Sequence, residues 1–76
     1  MKLTKGEFCQ FNVATRLELL KEFGKHILKR KVEMRLVSVY SVFGFYVEVF
    51  ENLSNHRLEK VEPLKNNAIL EIYSRL

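Results

Sequence analysis

The feature that most constrains this chain is a pair of β-prone runs on either side of Phe43-Gly44. Residues 35–42 and 45–51 are rich in valine, tyrosine and phenylalanine, the residue types that favour strands. The two residues between them fit a tight hairpin loop, because glycine accepts the positive φ that such a loop requires. The centre of the chain is therefore predicted to form an antiparallel hairpin.

A third strand is predicted over residues 57–62, after turn-forming residues 52–55. Pro63 ends this strand because proline has no N–H to donate to a ladder. Leu58 and Val61 lie three positions apart, which breaks strict alternation. That spacing indicates a bulge or an edge position.

Residues 25–32 fit either a basic edge strand or a continued helix. Their alternating pattern suits a strand, whereas a helix would align Phe23, Ile27 and Leu28 on one face. Gly24 stands where helices often end with a left-handed residue. We therefore favour a fourth strand.

Helices are predicted at both ends of the chain. Thr4 begins a Thr-x-x-Glu capping box, which starts a short turn that carries Phe8 and Phe11 inward. Asn12 is a second N-cap, followed over residues 13–23 by apolar side chains at helical spacing, with Arg16 on the solvent side. A closing helix is predicted over residues 64–76 from its helical spacing of apolar residues.

These elements predict one small α+β domain over residues 1–76. It has an N-terminal helix or helix pair, an antiparallel three- to four-stranded β-meander and a C-terminal helix. The tract 40–50, together with 58–61 and 70–73, resembles a group of short uncharacterised proteins from gut bacteria. The resemblance implies a β-meander and no activity, so it assigns no functional residues.

Composition argues against several classes of function. No apolar run approaches the roughly 18 residues needed to span a bilayer, so we expect a cytoplasmic protein with no membrane partner. The chain has one cysteine, two histidines and no aspartate. Cys9, His26 and His56 have no zinc-ligand spacing, so we expect no metal and no cofactor. Cys9 itself is expected to be a half-buried packing thiol.

No pattern of catalytic residues is present. Ser54 and His56 lie in a predicted turn, where they would not form a rigid pair. Glu59 and Glu62 are expected to be exposed charges on a strand rather than an acid/base couple. The three glycines are scattered and form no phosphate-binding loop. We therefore predict that the protein is not an enzyme.

The net charge of +4 is concentrated in residues 1–35, which hold nine lysines and arginines against four glutamates. Within this region Lys25, Lys29, Arg30 and Lys31 are candidate contacts for nucleic acid or another anionic partner. The favoured interpretation is a charged edge that prevents sheets from pairing with each other.

Both faces of the predicted hairpin carry bulky side chains, although a solvated face would normally be polar. Glu48 interrupts this apolar pattern and is expected to pair with Arg35 or Arg57 on a neighbouring strand. The candidate interface residues are Tyr40, Tyr46, Glu48 and Phe50.

The leading hypothesis is a small non-catalytic interaction or accessory protein that forms a homodimer. The alternative is a small nucleic-acid-binding or regulatory protein that uses the basic segment 25–31.

Overall fold

A computed structural model describes residues 1–65 of the chain. The elements, in chain order, are α1 (Lys5–Cys9), α2 (Val13–Phe23), β1 (Lys25–Val32), β2 (Arg35–Val42), β3 (Phe45–Asn52) and β4 (Arg57–Pro63). The strands form one antiparallel sheet in the order β1-β2-β3-β4. The predicted N-terminal helices and four-stranded meander are confirmed. The predicted C-terminal helix lies outside the described residues from residue 66 onward, and Leu64 and Lys65 are not helical.

The predicted loop at Phe43-Gly44 is confirmed. Both residues have positive φ, 51° and 85°, as a tight two-residue hairpin turn requires. Phe43 is an unusual occupant, because a bulky side chain is strained in this region. Its ring packs against those of Phe23 and Phe45, with centroids 5.6 and 6.2 Å apart. This packing offsets the backbone strain.

The predicted irregularity in β4 is a bulge on an edge strand. Phe50 is paired with Lys60 across the β3–β4 ladder. The next residue of β3, Glu51, is paired with Leu58, so Glu59 is an extra residue on β4. Bulges increase local twist and interrupt pairing.

Both helices pack on one side of the sheet, which we call the helix face. α2 contacts β2 and β4, and α1 contacts β4. Phe8 and Leu20 bring the two helices into the core and are almost fully buried. The sheet contributes Val42, Phe45, Val47, Val49 and Val61.

Three expectations about the helices are wrong. Cys9 is exposed rather than half buried, and Phe11, expected to point inward, is 40% exposed. The short α1 places only Phe8 against the sheet. Gly24 is extended, with φ of −88°, rather than left-handed. Glycine is nevertheless required there, because a Cβ would lie 2.6 Å from the carbonyl oxygen of Leu20.

Arg16 does not simply face solvent as predicted. Its Nε donates to the carbonyl of Phe11 at 2.8 Å, and its Nη2 donates to the carbonyl of Cys9 at 2.6 Å. Its Nη1 donates to the carbonyl of Val61 at 2.8 Å, in a partly buried position. One side chain therefore joins α1, α2 and β4.

Candidate interaction surface

We call the side of the sheet away from the helices the opposite face. It carries the residues of each strand that alternate with those on the helix face. Its centre is buried: Val37 and Val39 are 1% and 0% exposed. Val39 packs with Leu28 and Leu64. Next to this centre, along β3, Tyr46, Glu48 and Phe50 are each partly buried and so remain partly accessible. We call these three residues the β3 strip.

The β3 strip contains three of the four predicted interface residues, whereas Tyr40 lies elsewhere. Tyr40 is paired with Val47, a core residue, and therefore belongs to the helix face. Its ring contacts that of His26 edge-on, with centroids 5.2 Å apart. Because side chains of a strand alternate between faces, Tyr40 and the β3 strip cannot share one surface.

The expected ion pair between Glu48 and Arg35 or Arg57 is wrong. Arg35 instead pairs with Glu59, with 2.8 Å between Nε and Oε1. Glu48 faces another carboxylate, Glu62, directly across the β3–β4 ladder. Like charges in that position repel each other.

Within residues 1–65, the Glu48 carboxylate has no hydrogen bond or ion pair. Burial raises its pKa, because desolvation disfavours the charged form. Arg30 and Lys60 oppose this shift, and Glu62 adds to it. Glu48 is therefore a partly buried charge near cations that do not bond to it.

Among the described residues, Arg30, on the same face, has a side-chain donor without an acceptor. Its Nε is buried and has no hydrogen-bond partner in the described part of the chain. Buried donors without acceptors are rare in folded proteins and costly. Within residues 1–65, the opposite face therefore holds a buried Arg30 donor without an acceptor and a partly exposed Glu48 carboxylate without an ion pair.

Phe50 and Lys60 form a second feature beside the β3 strip. The Lys60 ammonium lies 5.4 Å from the centre of the Phe50 ring, in a cation–π contact. Together with Arg35 and Glu59, they line a shallow cavity of about 330 Å³. Sequence reasoning missed Lys60, because its pairing with Phe50 depends on the bulge in β4.

The structure does not gather the basic segment on one face. Lys29 and Lys31 are paired with Ser38 and Leu36 of β2, on the helix-face side. Lys25 and Arg30 belong to the opposite face. A phosphate backbone laid across either face would meet only half of these charges.

The described part of the chain, residues 1–65, contains no cluster of three metal-ligating side chains. None of its helices is long and apolar enough to cross a membrane. Comparison with known proteins finds no matching family model, curated protein or solved structure. A functional proposal must therefore be based on the surface itself.

Proposed function

We propose that this is a small non-catalytic interaction or accessory protein that forms a homodimer through the β3 strip. The observation that carries the proposal is the partly exposed Glu48 carboxylate, which lies between two aromatic side chains of the β3 strip and has no ion pair within residues 1–65. A two-fold interface brings the same patch together twice, so each residue on it meets residues of the other copy. Glu48 of one copy then lies near Arg30 or Lys60 of its partner.

Aromatic side chains supply the apolar part of such an interface. Tyr46 and Phe50 flank Glu48 at alternate positions of β3, so all three project from the same face. Aromatic residues are enriched in interface cores, and polar residues form the rim. The exposed Lys60 and Glu62 fit that rim.

The nucleic-acid alternative has weaker support. Phosphate binding requires cations that face a common surface, whereas the cations of β1 alternate between two faces.

Charge reversal tests the dimer. We expect wild-type protein to sediment at twice its chain mass of 9.0 kDa at micromolar concentration. Glu48→Arg and Arg30→Glu should each shift the equilibrium toward monomer, because each places like charges across the interface. Combining the two reversals should restore the dimer if these residues pair between copies.

Glu18→Arg is the matched control, because Glu18 is exposed on α2 and lies away from the opposite face. It should leave the dimer intact. Circular dichroism checks that each variant is folded. A folded wild-type protein that remains a 9.0 kDa monomer throughout the micromolar range contradicts the proposal.

A further inference from the structure

The two edges of the sheet are protected differently. At the β4 edge, Arg16 donates to the carbonyl of Val61, and Lys5 donates to the carbonyl of Leu64 at 3.0 Å. The extra residue Glu59 also distorts this strand. Side-chain donors and bulges of this kind discourage pairing with another strand.

The β1 edge has fewer such protections. Among residues 1–65, β2 supplies the only backbone hydrogen bonds made by β1. Alternate N–H and C=O groups of an antiparallel edge strand point away from its neighbour. The pairing shifts at Ile27, so the regular part of this edge is Leu28–Val32.

Charge opposes pairing of this edge with a second copy of itself. In an antiparallel register centred on Arg30, Lys29 of one copy would face Lys31 of the other. In a register centred on Lys29, two copies of that residue would face each other. Like charges directly opposite each other destabilise a ladder.

We propose that Leu28–Val32 is a docking edge for an acidic, extended segment of a partner protein, which adds to the sheet beside β1. Lys29 and Lys31 are exposed, two positions apart and on the same side of the strand. Acidic residues two positions apart in the added strand match that period. Backbone bonds provide affinity, and opposite charges select the partner.

An apolar contact completes this edge. Val32 is 42% exposed at the end of β1, and Met34 is 54% exposed in the following turn. An apolar residue of the added segment covers them. The proposal does not depend on the dimer, because it uses the two lysines on the helix-face side rather than the β3 strip.

A labelled synthetic peptide with glutamate at alternate positions and valine or threonine between them tests this docking. We expect saturable binding by fluorescence anisotropy at physiological salt. Lys29→Glu combined with Lys31→Glu should weaken binding at least about tenfold. The Lys→Gln pair at the same positions should weaken binding less than the Lys→Glu pair, because it removes the attraction without adding repulsion. The matched control, Lys2→Glu with Lys21→Glu, makes the same change in net charge at exposed positions and should bind like wild type.

Backbone pairing is tested separately from charge. The same peptide with methyl groups on alternate backbone nitrogens keeps its charge but cannot complete the ladder, so we expect at least about a tenfold loss. Hydrogen exchange should show peptide-dependent protection of amides in β1. Equal binding of the methylated peptide, protection confined to β4, or no saturable binding overturns the proposal. Tighter binding by a single-stranded oligonucleotide of equal charge also overturns it, in favour of a nucleic-acid site.

Discussion

Replacing Arg16 with alanine tests how firmly the helices are attached to the sheet. The variant loses three hydrogen bonds to the carbonyls of Phe11, Cys9 and Val61. A bond from a charged donor contributes about 1.5–3 kcal/mol when it is shielded from water. Only the bond to Val61 is partly buried, and exposed contacts contribute much less. We therefore expect the free energy of unfolding to fall by about 2 kcal/mol.

Urea denaturation followed by circular dichroism measures this loss. The midpoint should fall while the slope remains unchanged, because the surface exposed on unfolding is nearly the same. In a domain of this size the melting temperature should fall by about 10 °C. Arg16→Lys should recover only part of the loss, because an ammonium lacks the planar fork of the guanidinium.

Lys21→Ala is the control, because Lys21 is an exposed cation on the same helix. It should change stability by no more than about 0.5 kcal/mol. If Arg16→Ala proves as stable as this control, the three hydrogen bonds contribute nothing and apolar packing alone holds the helices.

Three further predictions concern pH, strain and charge. Burial raises the pKa of Glu48 above its usual 4.5, so its charged form costs stability at neutral pH. Glu48→Gln should therefore be more stable than wild type at neutral pH. This difference should shrink as pH falls through the raised pKa toward 4.5, because wild-type Glu48 then takes up a proton. A difference in melting temperature that does not change with pH contradicts this. Phe43→Asn relieves about 1 kcal/mol of backbone strain but loses about 2 kcal/mol of aromatic packing. Thermal or urea melts should therefore show it to be less stable than wild type, and a more stable variant would show that strain dominates. Neutralising Lys29–Lys31 together should preserve the fold and promote aggregation; micromolar nucleic-acid binding by wild type that this change abolishes would support the alternative function.

The strands could be predicted because the information needed is local. β-branched and aromatic residues mark each strand, and Phe43-Gly44 provides the tight turn between β2 and β3. The spacing of Leu58 and Val61 even indicated the bulge. The face of the sheet on which Tyr40 lies could also have been predicted. A two-residue loop fixes which residues of the hairpin are paired, and Tyr40 then shares a face with Val47.

The ion pairs and the role of Arg16 could not be predicted in the same way. Arg35 and Glu59 come from β2 and β4, which are separated by β3, and the bulge determines where Glu59 lies. Arg16 reaches the carbonyl of Val61, 45 residues away. Contacts of this kind depend on how distant elements pack, which helical spacing alone does not reveal.

The order of the strands also determines how quickly the sheet can assemble. Within the described residues 1–65, each strand pairs only with its neighbours in sequence, so the longest connection between these strands is residues 53–56. Loops this short close within about 100 ns, and local pairing of this kind favours fast folding. The contact between Arg16 and Val61 joins residues 45 positions apart, so we expect it to form after the central hairpin. Loss of Arg16 should therefore accelerate unfolding and leave the folding rate almost unchanged, whereas changes at Phe43-Gly44 should slow folding itself.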